Sequence, residues 1–160
     1  MSEQIKVGIS DYKVAAAPDQ LVTIGLGSCI GIALYAPKSK TGALSHIMLP
    51  DSSSFSDTSK WPKFADLALP KIVDELKART KETKILAKIA GGASMFTFSS
   101  ESQTLQIGQR NIEAVKKVLA ELDVLVLSEH VGGKMGRSMY VDLAEFEVKV
   151  RMVNREEYIL

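Results

Sequence analysis

The sequence predicts an α+β protein, built as a layered sandwich of mixed or antiparallel β-sheets with helices packed on the outside. Short segments rich in apolar and β-branched residues outnumber the segments with helical periodicity. Each helical segment carries one apolar stripe, and such a stripe becomes buried when the helix covers a sheet. The 160 residues predict one domain over residues 1–160, long enough to bury a core without metals or disulfides.

Eight segments have the composition of strands. They are residues 7–14, 21–24, 30–35, 43–49, 85–90, 124–127, 139–143 and 146–150. The early segments follow one another through short turns, which favours antiparallel pairing, and Gly42 suits a hairpin turn over residues 38–42. Residues 146–150 alternate between apolar and charged side chains, so one face of that strand is predicted to meet water.

Helical periodicity is clearest in residues 61–79. Leu69, Val73 and Leu76 recur there at the spacing of one helix face. Pro70 interrupts the pattern, and it predicts either a kinked helix or the start of a second helix, where a missing N–H matters little.

A second helix is predicted over residues 112–122, with Asn111 as its N-terminal cap. The polar segments 51–60 and 99–104 are predicted to be surface loops.

Composition and net charge limit the classes of partner and cellular compartment that fit this chain. The formal net charge of +1 gives no electrostatic reason to expect nucleic acid or an anionic membrane as a partner. The single cysteine excludes an internal disulfide and favours a reducing compartment. No signal peptide is recognised, and the uncharged segment 20–37 is shorter than the roughly 20 apolar residues of a spanning helix, so a cytoplasmic protein is expected.

The only cysteine, Cys29, lies among three glycines and a serine in residues 25–31. A thiol there can be a nucleophile surrounded by backbone amides, or an inert small apolar group. The glycine spacing does not match a dinucleotide-binding fingerprint, and the Gly-Lys-Ser/Thr ending of a phosphate loop is absent. Residues 27–31 match a nucleophile elbow with cysteine in place of serine, but a strand-like segment follows where that motif requires a helix.

A thiol nucleophile needs a base, and the chain has two histidines. If the strands on either side of the turn at 38–42 form a hairpin, His46 comes roughly opposite Cys29. The alternative is a core histidine whose ring is satisfied by the backbone. His130 opens a glycine-rich segment and is expected in an exposed loop. Neither histidine has metal-ligand spacing to a second ligand, so no metal or cofactor is predicted.

Several other residues allow more than one interpretation. The pairs Gly91-Gly92 and Gly132-Gly133 fit plain turns or the lining of a site that substrate backbone approaches. Arg110 and Arg137 lie beside glycines and are expected to be solvated charges. Met95-Phe96 fits the core, its rim or a partner surface.

Five motifs, in order along nearly the whole chain, resemble the CheD family of bacterial chemoreceptor glutamine deamidases. They are LGSC at 26–29, HIMLP at 46–50, KIAGGASMF at 88–96, IGQRN at 107–111 and GGKMGR at 132–137. The resemblance implies a fold similar to that of bacterial cytotoxic necrotizing factor-like cysteine hydrolases.

The resemblance also implies roles for three residues. Cys29 matches the family's catalytic cysteine, His46 its catalytic histidine, and Thr23 a threonine that assists the histidine. The implied substrates are glutamine side chains on methyl-accepting chemotaxis proteins, with receptor methylesterase activity as a further reaction. A CheC-type phosphatase of phosphorylated CheY is an implied partner.

The chemistry of an amide hydrolase also predicts where its oxyanion is stabilised. The backbone amides of Gly27, Ser28 and Cys29 are the expected donors. Two alternatives remain at the level of the sequence. The chain could be a regulatory module that docks on receptors or on a CheC-type phosphatase, with catalysis minor, or a stable domain with a buried, inert thiol.

Overall fold

The computed structural model describes residues 2–94 and 107–160, in which ten strands and two α-helices occur. The strands are β1 (Gln4–Lys6), β2 (Asp11–Ala16), β3 (Gln20–Leu26), β4 (Ile30–Ala36), β5 (Thr41–Ile47), β6 (Leu86–Gly91), β7 (Leu125–Val131), β8 (Arg137–Asp142), β9 (Glu147–Met152) and β10 (Glu157–Ile159). The helices are α1 (Ala65–Thr80) and α2 (Ile107–Glu121), and a 3-10 turn at Trp61–Lys63 precedes α1. The sequence-predicted loop at 99–104 and the pair Met95-Phe96 lie outside the described residues.

The strands form two five-stranded sheets. The outer sheet has the order β1-β3-β8-β9-β10, and the central sheet has the order β2-β5-β4-β6-β7. Pairing is parallel for β1 with β3 and for β6 with β7, and antiparallel for the other neighbours, so both sheets are mixed. Both helices pack on one face of the central sheet and the outer sheet covers the other. The predicted α+β class is confirmed, and the layers are consistent with the predicted sandwich.

Strand β4 lies at the middle of the molecule and is buried on both faces. Ile32 and Leu34 point into the core that the helices cover, whereas Ala33 and Tyr35 point into the core between the two sheets. This double burial explains why the segment reads as a continuous apolar run rather than an alternating one.

Two predictions about neighbouring strands are wrong for the same reason. The strand predicted over residues 7–14 begins only at Asp11, because residues 7–10 connect β1 to β2, which belong to different sheets. Strands β3 and β4 likewise do not pair with each other, because the segment between them crosses from the outer to the central sheet. Gly25, with φ of 77°, and the bend at residues 27–29 provide this crossing. The hairpin predicted around residues 38–42 is confirmed as β4–β5.

The helices differ from the prediction at two positions. Helix α1 is a single helix with Pro70 inside it, rather than two helices. Helix α2 begins at Ile107, so Asn111 lies within the helix and is fully buried instead of capping it. Gly108 makes the earlier start possible, because a side chain there would collide with the backbone of Gly92 and Ala93.

The C-terminal strands follow the predicted pattern. Strands β8 and β9 form the predicted hairpin, and β9 buries Val148 and Val150 while Glu147 and Arg151 face solvent. Strand β10, which the sequence did not predict, adds an edge to the outer sheet. Among the described residues, no helix combines the length and apolar character that a membrane span requires.

Within the central sheet, β4 should contribute most to stability because it is buried on both faces. We expect Leu34→Ala on β4, where the side chain is fully buried, to lower the free energy of unfolding by about 2–5 kcal/mol. The same substitution at Leu125 on β7, where more than half of the side chain is exposed, should change it by less than about 0.5 kcal/mol. Chemical denaturation of both variants measures this difference, and equal losses would contradict the layer assignment.

Candidate active site

Cys29 ends the bend that carries the chain from the outer to the central sheet. Two carbonyl groups of this bend are fixed by backbone donors that follow β6: Ala93 N–H donates to Gly27 O at 2.8 Å and Gly92 N–H to Cys29 O at 2.9 Å. Asn111 on α2 donates its side-chain amide to Ser28 O at 2.9 Å. The carbonyls of all three bend residues are therefore hydrogen-bonded, which holds the bend in one conformation.

These bonds also determine where the amides of the bend point. In a trans peptide the C=O of one residue and the N–H of the next point in opposite directions. Since the carbonyls of Gly27 and Ser28 point toward their donors, the N–H groups of Ser28 and Cys29 point away from them. Within residues 2–94 and 107–160, neither amide donates to another residue, although the Cys29 amide interacts with its own thiol sulfur. The Gly27 amide differs, because it donates to Gly25 O at 3.1 Å.

His46 lies on β5, next to the bend. Its backbone pairs with Gly31 of β4, so Cys29, two residues before Gly31, is on the same face of the central sheet. That face meets the outer sheet, and the His46 residue is 1% exposed. The hairpin therefore places Cys29 and His46 on one sheet face, as predicted, but Cys29 lies diagonal to His46 rather than directly opposite it.

Thr23 on β3 reaches the His46 ring from the opposite sheet. Its Oγ1 donates to the Val7 carbonyl at 2.8 Å and lies 2.7 Å from His46 Nδ1. Because the hydroxyl proton is used on Val7, Oγ1 accepts from Nδ1–H, and this assigns the proton of the neutral ring to Nδ1. The Nε2 atom then carries a lone pair, and among the described residues it has no hydrogen-bond partner.

Burial keeps both side chains uncharged. It lowers the pKa of His46 from 6.5 to about 4. Burial also raises the pKa of the Cys29 thiol, with a smaller opposing effect from the Cys29 amide. At neutral pH the pair therefore consists of a thiol and a neutral imidazole, which suits proton transfer during attack rather than a preformed thiolate–imidazolium pair.

The close approach of the two sheets depends on Gly31. A Cβ atom there would come 2.8 Å from Met139 Sδ, 3.1 Å from Leu26 Cδ1 and 3.4 Å from Thr23 Cγ2. The missing side chain lets the outer sheet approach β4 at the level of His46, which places Thr23 within hydrogen-bonding distance of the ring.

The glycine pairs lie around the bend. The amide of Gly92 holds Cys29 O, and the amide of Gly132 donates to Gly91 O at 2.9 Å. Gly133 O in turn accepts from Ser94 N–H at 2.9 Å. Residues 91–94 thus connect the Cys29 bend to the glycine segment before β8, so both pairs belong to the surroundings of the site.

Two predictions for charged or polar residues near this segment are wrong. Arg137, expected in solvent, is 2% exposed on β8 and donates to the carbonyls of His130, Gly132 and Met135. His130, expected in an exposed loop, is half-buried on β7 against Tyr158. A guanidinium that satisfies three carbonyls of a turn can be buried without a carboxylate, and spacing along the sequence does not reveal those carbonyls. Arg110 is exposed, as predicted.

The residues that sequence reasoning missed act through the backbone. Asn111 bonds two main-chain carbonyls, Val7 contributes a carbonyl to the Thr23 hydroxyl, and Gly31 contributes an absent side chain. For Asn111 the available signal was its place at the end of the IGQRN motif, directly before the apolar stripe of α2. Among the described residues, no cluster of three His, Cys, Asp or Glu side chains could hold a metal ion.

Comparison with known proteins places this geometry in context. Residues 48–152 match the family model described as CheD chemotactic sensory transduction. Curated relatives named probable chemoreceptor glutamine deamidase CheD include those of Clostridium kluyveri, 51% identical over 94% of this chain and 94% of its own length, and of Desulforamulus reducens, 47% identical over 94% and 91%. A Clostridium botulinum relative of the same name is 48% identical over 94% and 93%. The family-model match begins after Cys29 and His46. The alignments with these relatives cover 94% of the chain and therefore include both residues.

Overpacking at Gly31 should be measurable. We expect Gly31→Ala to lower the free energy of unfolding by about 1–3 kcal/mol, because the sheets must separate near Thr23 and His46. In a Met139→Ala background the loss should be smaller, since the nearest obstructing atom is removed. Gly8→Ala is the control, because a Cβ there meets no atom within 4 Å. Equal effects at Gly31 and Gly8 would contradict this account.

The lowered pKa of His46 also predicts a pH dependence of stability. The unfolded chain binds a proton at His46 as the pH falls below 6.5, whereas the folded chain binds it only near pH 4. Stability should therefore be lost as the pH falls from 6.5 to 4, by up to about 3 kcal/mol from this residue. Urea denaturation at several pH values should show a weaker dependence in His46→Gln. Identical pH dependence in both proteins would refute the assignment, since other groups contribute equally to each.

Proposed function

The chain belongs to the CheD family, and we propose that it is a chemoreceptor glutamine deamidase, a cysteine hydrolase formed by a single domain over residues 1–160. It hydrolyses glutamine side-chain amides on methyl-accepting chemotaxis proteins to glutamate and ammonia. The names of its relatives and the five motifs support the substrate, and the arrangement around Cys29 supports the chemistry.

One observation carries the proposal. His46 Nε2, with its lone pair left free by the bond to Thr23, lies on the same sheet face as Cys29. A core histidine retained for stability alone would have both ring nitrogens satisfied, because a buried polar atom without a partner costs about 1–3 kcal/mol. A ring nitrogen with no partner among the described residues, on the sheet face that carries the only thiol, suits nucleophilic catalysis by Cys29.

In the first step His46 acts as general base. Nε2 takes the proton from Cys29 Sγ as the sulfur attacks the amide carbon, so the S–C bond forms while the C=O π electrons move onto oxygen. Thr23 Oγ1 holds Nδ1–H throughout and fixes the ring orientation. A neutral hydroxyl stabilises the resulting imidazolium less than a carboxylate would, which agrees with the low pKa of His46.

The oxyanion is bound by backbone amides of the bend. Ser28 and Cys29 are the best donors, because their N–H groups donate to no other residue among those described. Gly27, also expected from the sequence, is the weaker candidate because Gly25 O already accepts from it. In other enzymes the loss of one such donor costs about 2.7–4 kcal/mol of transition-state stabilisation.

Collapse of the intermediate releases ammonia. The imidazolium Nε2–H protonates the departing nitrogen as the C–N bond breaks, which leaves a thioester between Cys29 and the glutamyl carbon. Water then attacks with Nε2 as base, the C–S bond breaks, and the proton on His46 returns to sulfur. The product carboxylate adds a negative charge to the receptor helix, which can alter signalling locally.

The same acyl-enzyme also supports a methylesterase reaction. A glutamyl methyl ester gives the identical thioester and releases methanol instead of ammonia, so receptor methyl esters are a second proposed substrate. A CheC-type phosphatase as partner, a cytoplasmic location and a fold like that of cytotoxic necrotizing factor-like hydrolases remain predictions from the family resemblance.

The proposal is tested by mass spectrometry of a glutamine-bearing chemoreceptor cytoplasmic fragment after incubation with this protein. We expect a gain of the amide-to-acid mass at discrete glutamines, abolished in Cys29→Ala and His46→Ala. Thr23→Val should lower the rate and Thr23→Ser should retain most of it, because serine keeps the hydroxyl that orients His46. Since His46 titrates near pH 4, kcat/KM should fall only as the pH approaches that value.

Two outcomes would sink the proposal. Full activity in folded Cys29→Ala would remove the nucleophile from the mechanism. A wild-type protein that binds the fragment but leaves every glutamine unchanged would favour the regulatory docking module instead.

A further inference from the structure

We propose that Asn111 is a positioning residue for the oxyanion site: its side-chain amide orients the peptide whose N–H belongs to Cys29. This inference rests on the proposed acyl-transfer chemistry. Asn111 lies on helix α2, more than 60 positions along the sequence from both Cys29 and His46.

Asn111 connects the two segments that carry the catalytic pair. Its Nδ2 donates to Ser28 O at 2.9 Å, directly before Cys29, and to Met48 O at 3.0 Å, two residues after His46. The side chain belongs to α2 and is fully buried. A single amide group therefore uses both of its hydrogens to hold the bend against the end of β5.

The bond to Ser28 O acts on the neighbouring amide. The Ser28–Cys29 peptide is a rigid plane, so holding its oxygen toward α2 turns the Cys29 N–H to the opposite side. Without a donor at Asn111 this plane could rotate, and the bend contains glycine on the preceding side. The Ser28 amide is oriented independently of Asn111, because Ala93 N–H donates to Gly27 O, the carbonyl of the same peptide. Asn111 thus governs one of the two proposed donors and leaves the other in place.

The remaining atom of Asn111 shows which half of the side-chain amide this position uses. Its Oδ1 is buried and has no hydrogen-bond partner among residues 2–94 and 107–160. A buried unsatisfied amide oxygen destabilises a fold by about 1–3 kcal/mol. An apolar residue on this helix face would avoid that cost, so the donor function of Nδ2 is what the position supplies.

The test compares two reactions of Cys29 that differ in whether an oxyanion forms. Acylation by p-nitrophenyl acetate passes through a tetrahedral oxyanion, whereas alkylation by iodoacetamide is a direct displacement without one. Rates are measured for the wild-type protein, Asn111→Leu and the control Gln109→Leu, which removes an exposed amide from the same helix. Cys29→Ala supplies the background from other nucleophiles.

We expect Asn111→Leu to slow acylation at least about 10-fold, since removal of a complete oxyanion donor costs about 10²–10³ in kcat elsewhere. Alkylation should proceed at the wild-type rate, because thiol access and the His46 base are retained. Gln109→Leu should match the wild-type protein in both reactions. The pH dependence of alkylation should also be the same in all three proteins.

Three results would overturn the assignment. The first is that the rates of acylation and alkylation fall together in Asn111→Leu, which would make Asn111 a determinant of thiol reactivity in general. The second is that neither rate falls in a folded variant, which would mean that Asn111 does not orient the donor. If Asn111→Leu does not fold, Asn111→Ala is measured in the same way, and failure of both to fold would make the residue a requirement of the fold alone. The probes do not depend on the receptor, so absence of glutamine deamidation would count against the proposed function and not against Asn111.

Discussion

The hydrogen bond between Thr23 and His46 joins the two sheets at the point where the site is built. Thr23 belongs to the outer sheet and His46 to the central sheet, so the ring is oriented only when the layers are packed. The packing in turn requires a glycine at position 31, because any side chain there would meet Met139 and Leu26. The orientation of the His46 ring, the proposed base, is therefore a consequence of how closely the sheets approach.

The Cys29 bend shows the same dependence on layers beyond its own strand. Its three carbonyls are held by residues that follow β6 and by α2, and the amides of Ser28 and Cys29 have no acceptor in another described residue. The proposed nucleophile thus lies where three layers meet: the outer sheet supplies Thr23, the central sheet Cys29 and His46, and the helical layer Asn111. Cys29 and His46 are both neutral and buried, because each layer excludes water from one side.

The contrast between Arg137 and Asn111 illustrates how buried polar side chains serve the backbone here. Arg137 satisfies three carbonyls of a glycine-rich turn, and Asn111 satisfies two carbonyls from segments far apart in the chain. Both stabilise irregular backbone that no strand or helix could satisfy by itself. Turns of this kind are needed wherever the chain crosses between sheets, and the site occupies such a crossing.

The sequence by itself determined the class of the fold, most strand positions and the pairing of β4 with β5, and its resemblance to the family pointed to Cys29, His46 and Thr23 as candidate site residues. These follow from local periodicity, turn composition and motifs, which are properties of neighbouring residues. Only the tertiary structure decided that β3 and β4 enter different sheets, that Asn111 lies inside a helix, and that Arg137 is buried. Asn111 and Arg137 are held by main-chain carbonyls, and the two sheets approach each other over the empty space at Gly31. Side-chain patterns show neither the carbonyls nor the empty space until distant segments are brought together.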